Sequence, residues 1–398
     1  MNINRSTLII ALVAVLALAA LFVGQNRMEQ APQAANSDQL VPHFEVDPFW
    51  PQPLPNQWLL GRTIGVAVDA RDHVFIVHRD SPDMFMSQEL GLDRGVASCC
   101  TAAPPILEFD PDGNLVNGWG GPVEGGEYEW PASNHGIEVA ANGDVWIGGN
   151  GSTDSHILVF TRDGDYIRTI GEPGNLPDSN STTHFSRVAE IAIDAANNEA
   201  WIADGYGNRR VVVLDATTGE FKNFWGAYGN QPDDDANNTY IPGEPLPQQF
   251  RPPVHCAEPS ADELIYVCDR GADRIQVFQR DGTFVKEGLV APATLSGSTW
   301  DISFSHDPEQ EFIYLADGSN MLVHVLERES LEVLYTFGDG GRQPGLFFGT
   351  HSIVTDSAGD VYTTETYEGK RVQKFVHRGL VPLGDIRPGA PWPASEIH

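Results

Sequence analysis

The chain has 398 residues, 41% of them apolar and 10% aromatic, enough to bury a large core. Its 55 acidic and 24 basic side chains leave a formal charge of −31, which repels phosphate and argues against nucleic acid or anionic lipid as a partner. Forty Gly and 28 Pro demand many turns and favour short strands over long helices.

From the N-terminus, residues 1–7 carry one Arg, and Leu8–Gly24 is a 17-residue run without a charge. This pattern predicts an export signal or short signal anchor over 1–24. The expected location is therefore periplasmic or extracellular, with membrane contact only through this segment. No Cys follows the run, which argues against a lipoprotein. Residues 25–42 are polar and Ala/Gln-rich, as in a flexible tether, and 43–398 are expected to form one domain.

That domain repeats itself. A strand of period two, a turn with Asp or Asn, and a strand ending in Asp or an equivalent come first. A third strand ending in Phe or Leu, a DG or TG turn and a fourth strand that often runs into Trp-Gly or Phe-Gly complete the unit. Copies occupy 63–120, 134–171, 187–226, 254–288, 299–338 and 350–375. The stretch DRGADRIQVFQRDGTF (269–284) resembles the NHL-repeat consensus, and four-stranded units of this length arranged radially describe a six-bladed β-propeller. The last copy lacks a fourth strand, and HFEVDPFWPQPLPNQWLL (43–60) is expected to supply it, closing the ring without an open edge.

Four cysteines do not make a disulfide scaffold. Cys256 and Cys268 lie on two strand-like runs joined by a turn near Asp262, so they stand opposite each other as either a cross-strand bridge or two buried thiols. Cys99 and Cys100 are adjacent and receive no role.

Aligning the copies on their first strands gives Ile64, His135, Ala189, His255, Trp300 and His351 at one register. Histidine falls in the second, fourth and sixth copies. First strands line the channel of a propeller, and alternate blades stand roughly 120° apart, so three imidazoles should converge on the axis. Such a set leaves a coordination position open, as catalytic zinc requires. Three polar residues hydrating a pore are the plainer alternative.

Beyond the repeat, the chain resembles the peptidyl-α-hydroxyglycine α-amidating lyase family over roughly residues 60–377. The likeness rests on GVAVDARDHVFIVHR (65–79), NHGIEVAANGDVWIGG (134–149), IADGYGNRRVVVL (202–214), PPVHCAEPSADELIYVCDRGADRIQVF (252–278) and GTHSIVTDSAGDVYTTE (349–365). It implies zinc on His135, His255 and His351, a catalytic Tyr206, and active-site arginines at Arg79 and Arg270. The implied substrate is a small or peptidyl carbinolamide bearing a carboxylate. Zinc would act on its hydroxyl as a Lewis acid, an ionised or partly ionised Tyr206 would take the hydroxyl proton, and an arginine would hold the carboxylate through paired N–H donors. C–N cleavage then yields a carboxamide and glyoxylate.

Several positions depart from the family pattern. Ser352 stands where the animal lyases have an acidic calcium ligand, which argues against a structural Ca2+. Gly349 and Thr350 replace a Met–Pro pair, and Gly207 replaces a Cys. The copper-monooxygenase partner domain has no counterpart in this sequence. An acidic, Pro-rich insertion at 227–252 is expected over one mouth of the channel.

Two other functions compete with the lyase. A metal-dependent lactone or ester hydrolase would draw Glu190 and Asp301 into its ligand set. A non-enzymatic envelope scaffold would use the propeller face for protein contacts. Each catalytic residue also has a structural alternative: ion pairs of Arg79 with Asp80 and of Arg270 with Asp269, and plain packing for Tyr206. No nucleotide-binding glycine loop, nucleophile elbow or CxxC pair is present.

Overall fold

The computed structural model describes residues 37–79 and 100–393. The apolar leader, Asp80 and Cys99 lie outside the described residues. Among the described residues, no helix is long and apolar enough to cross a membrane.

Six four-stranded sheets carry the repeats. Alternating apolar residues make each short strand two-faced, and Asp, Asn and Gly turns end it. Blade 1 comprises Arg62–Val68, Val74–Arg79, Ile106–Phe109 and Leu115–Trp119; blade 2 comprises Asn134–Val139, Val145–Gly149, His156–Phe160 and Tyr166–Gly171. Blade 3 holds Glu190–Asp194, Glu199–Asp204, Arg210–Asp215 and Phe221–Trp225; blade 4 holds Val254–Pro259, Leu264–Asp269, Arg274–Gln279 and Phe284–Leu289. Blade 5 runs Asp301–Phe304, Phe312–Asp317, Leu322–Glu327 and Val333–Phe337. Blade 6 takes Thr350–Thr355, Val361–Glu365 and Arg371–Pro382, and Leu40–Asp47 is its fourth strand. The N-terminal stretch thus closes the ring as expected, through a strand that begins at Leu40, within the stretch read as tether.

The cores lie between neighbouring blades. Trp201, Val213 and Trp225 of blade 3 pack on Ile265, Val267 and Phe278 of blade 4, and Phe75 and Val77 of blade 1 pack on Ile147, Leu158 and Phe160 of blade 2. The repeated DG turn and terminal Trp make one joint. Gly164 (φ +91°) in blade 2 and Gly282 (φ +90°) in blade 4 lie flat on Trp119 and Trp225 of the preceding blades, where a Cβ would come within 2.7 and 2.8 Å of the indole. Both the left-handed backbone and the missing side chain are needed there.

The Asp that ends many second strands has a structural task. Asp269 and Arg274 are both fully buried and paired at 2.8 Å, and Asp269 also accepts the Arg251 backbone N–H at 2.9 Å. Asp204 and Arg210 repeat the pair in blade 3 at 2.8 Å. Replacing Asp269 with Ala strands a buried guanidinium, so denaturant melts should show a loss of about 3–5 kcal/mol.

Cys256 and Cys268 are cross-strand partners and form a disulfide, which decides between the two states open from sequence. Residues 37–41 and Leu380–Ile386 make a separate small unit, in which the Leu383 and Gly384 N–H groups donate to the Gln39 and Ser37 carbonyls.

Candidate metal centre and active site

Each of the three histidines interrupts its strand pairing. The register slips between Asn134 and Ile137, between Val254 and Cys256, and between Thr350 and Ile353. A bulge bends the strand and re-aims a side chain that a regular ladder would send to one face of the sheet. The result brings the imidazoles of His135, His255 and His351 together, with ring centroids 4.7–5.2 Å apart. One ligand atom of each lies within 4.8 Å of the others.

Their tautomers follow from their partners. The Nδ1–H groups of His135 and His351 donate to the carbonyls of Ala189 at 2.6 Å and Ile64 at 2.8 Å, and His255 Nδ1–H donates to Trp300 O. These acceptors are the three non-histidine residues of the aligned register, each in the next blade around the ring. Every ring is therefore oriented by its neighbour and leaves Nε2 with a free lone pair. Burial, then mutual repulsion and the nearby guanidiniums of Arg79 and Arg270, hold all three far below the usual imidazole range. Neutral, convergent and backbone-anchored Nε2 atoms fit a divalent metal of the zinc type.

Tyr206 follows the second strand of blade 3, with its hydroxyl 3.0 Å from His135 Nε2 and 3.1 Å from His255 Nε2. Arg270 Nη1 donates to the same hydroxyl at 3.3 Å. Burial raises the phenol pKa above its ordinary value, while Arg270 and Arg79 pull against that rise.

Among the described residues, neutral groups hold the two arginines. Arg79 Nε donates to Asn134 O at 3.0 Å and Nη2 to Asn150 Oδ1 at 2.8 Å. Arg270 Nε donates to Ser296 O at 3.1 Å, and its guanidinium lies 3.6 Å from the Trp300 ring centroid. Asp269, the ion-pair partner considered for Arg270, is bound to Arg274 instead. Both cations thus keep capacity for an anion beside Tyr206. Trp300 is visible in the sequence only as a member of the aligned register, and nothing in the sequence signals Asn134 or Asn150.

The same channel holds a polar cavity of about 130 Å3, lined by Glu138, Glu190, Glu258, Asp301 and Ser352 among others. Ser352 enters this cavity from blade 6, and carboxylates enter it from four other blades. Glu138 and Glu258 each lie three residues after a channel histidine, a spacing legible in the sequence. Burial pushes Glu138 up to about 8 and Asp301 to about 6, and burial plus neighbouring carboxylates raise Glu190 well above its usual range. Glu190 and Asp301 approach Cys256 closely enough to share an ion, but that sulfur is spent in the disulfide. Asp301 is also bonded to the Ile302 and Ile353 N–H groups. This weakens the ligand set considered for a hydrolase.

The 227–252 insertion hydrogen-bonds Ser179 through Asp234, Arg209 through the Asp233 and Ala236 carbonyls, and Pro292 O through Tyr240. These bonds tie it along blades 3 and 4.

No family model matches the chain. Mouse NHL repeat-containing protein 3 is 25% identical over 354 residues, covering 84% of each chain. The rat peptidylglycine alpha-amidating monooxygenase is 24% identical over 365 residues, 86% of this chain and 33% of that protein; the chain thus spans about a third of its length. A probable peptidyl-alpha-hydroxyglycine alpha-amidating lyase of Caenorhabditis elegans is 25% identical over 162 residues, 39% of this chain and 42% of that protein. A streptogramin B lyase structure aligns with TM-score 0.49 at 14% identity, over 86% of this chain and all of that one, a likeness too loose to bear on function. The chain is a six-bladed β-propeller whose homologues include NHL repeat-containing protein 3 and the amidating monooxygenase and lyase.

Proposed function

We propose that the protein is a zinc-dependent lyase that cleaves the C–N bond of a carboxylate-bearing carbinolamide, releasing a carboxamide and glyoxylate. The observation that carries the reading is the convergence of three imidazole lone pairs and the Tyr206 hydroxyl beside two arginines that have no carboxylate partner among the described residues. Homology to amidating enzymes supports the same chemistry.

His135, His255 and His351 would hold the ion. When bound, a divalent cation supplies Lewis acidity and positive charge that lower the proton affinity of a nearby hydroxyl. Arg270 and Arg79 bind the substrate carboxylate through their unshared N–H groups. That anchor brings the carbinol hydroxyl to Tyr206, whose phenolate, favoured by the two guanidiniums and by a bound cation, takes the proton as the C–N bond breaks. The Asn134 and Asn150 contacts fix Arg79, and the Trp300 stack fixes Arg270, so little ordering remains when substrate arrives. The buried Cys256–Cys268 disulfide suits an oxidising compartment and so supports an exported protein.

Purified protein incubated with α-hydroxyhippurate should yield benzamide and glyoxylate in equal amounts. Dialysis against a chelator should abolish the reaction and added zinc should restore it. Neither product from the metal-loaded protein would refute the reading.

A further inference from the structure

Two loops of this propeller share one design. The segment after the second strand reads DGYGNRR over 204–210 in blade 3 and ETYEGKR over 365–371 in blade 6. Each starts on the last residue of its strand, with Tyr two positions later and Arg six positions later. Each Arg folds back onto the strand-terminal carboxylate, Arg210 onto Asp204 at 2.8 Å and Arg371 onto Glu365 at 2.6 Å. Loops of equal length pinned at equal ends release their tyrosines at the same register. In a ring of six, blades 3 and 6 are opposite, so Tyr367 stands across the channel from Tyr206.

Its contacts place it at the site. The Tyr367 ring is 6.3 Å from Trp300, nearly perpendicular, and Trp300 touches both Arg270 and His351. Tyr367 also lies close enough to act electrostatically on Arg79 and Tyr206. It packs over Gly349, two residues before His351, where a Cβ would come within 2.9 Å of the ring. Yet the side chain is 48% exposed, and its backbone is left-handed at φ +49°.

We propose that Tyr367 contacts the substrate on the amide side of the scissile bond and donates the proton that the departing nitrogen takes up. The assignment rests on the lyase reading above. In that reaction the carbinol O–H gives its proton to the Tyr206 phenolate and a C=O bond forms. The C–N bond breaks with its electron pair going to nitrogen, and nitrogen accepts the Tyr367 proton. Water then reprotonates Tyr367 and removes the proton from Tyr206, leaving both residues unchanged. Tyr206 is crowded by two histidines and Arg270, whereas Tyr367 opens to solvent and can be resupplied. Opposed phenols thus divide base and acid between two blades.

The test uses the metal-loaded full chain and its Tyr367→Phe and Tyr367→Ala variants. Turnover of α-hydroxyhippurate is measured together with binding of unreactive hippurate, read from tryptophan fluorescence. Tyr367→Phe should lower kcat by about tenfold or more, in the range of a lost proton donor, with KM and hippurate affinity nearly unchanged. Tyr367→Ala should also weaken hippurate binding. A Phe variant with kcat within about twofold of the parent overturns the proposal, as does one whose only change is in KM. If the unmodified chain neither binds hippurate nor releases glyoxylate, the lyase reading fails and this assignment falls with it.

Discussion

Replacing His255 with Ala should cost the protein its metal and, with it, nearly all activity. The three imidazoles are equivalent in construction: each sits at a bulge, and each is held through Nδ1 by a backbone carbonyl of the next blade. Removing one leaves two nitrogen ligands on a rigid frame that cannot close around the gap. Loss of an outer contact to a metal ligand already costs about 10–100-fold in affinity or activity, so loss of a ligand should exceed about a hundredfold. Metal analysis of purified His255→Ala should fall well below one ion per chain. Thermal melting should show the propeller intact, because the inter-blade cores and the Cys256–Cys268 bridge do not involve the imidazole. His135→Ala and His351→Ala should behave alike.

Tyr206→Phe should show the complementary pattern, with metal retained and turnover lost. The ring is half-buried beside Arg270 and its hydroxyl lies within 3.1 Å of two Nε2 atoms, so Phe keeps the packing and deletes only the oxygen. A positioned proton acceptor is worth about 10²–10⁴-fold in rate. The loss should appear in kcat, because Arg79 and Arg270 still bind the carboxylate and hold KM near its original value. Stopped assays for glyoxylate at saturating α-hydroxyhippurate, paired with metal analysis, check both halves. A Phe variant that turns over normally would remove Tyr206 from the mechanism.

Much of the architecture is legible in the amino-acid sequence because a propeller writes the same local rules six times. Where a copy ends in Trp-Gly, that Trp and the DG turn of the next copy are two halves of one joint, as Gly164 on Trp119 and Gly282 on Trp225 show. The histidine register is legible for the same reason, since one aligned position recurs in every blade. The bulges are not legible. An extra residue such as His255 breaks no composition rule and shows only when Val254 and Cys256 are found paired out of step with Asp269 and Cys268. The Arg270–Trp300 stack joins residues from adjacent blades, and no local pattern signals it. Asp269 misled for a related reason: it follows the strand like a partner for Arg270, but burial delivers it to Arg274. Tyr206 and Tyr367 illustrate both cases, since their loops match in the sequence while their confrontation needs the ring.

X-ray absorption at the zinc edge, on protein purified without added metal, reads the ion and its ligands together. One ion per chain bound by three nitrogen ligands at about 2.0–2.1 Å, and lost from the His135→Ala, His255→Ala and His351→Ala variants, is the predicted result. A chain that arrives metal-free and takes up none, or an ion that survives all three substitutions, would contradict it.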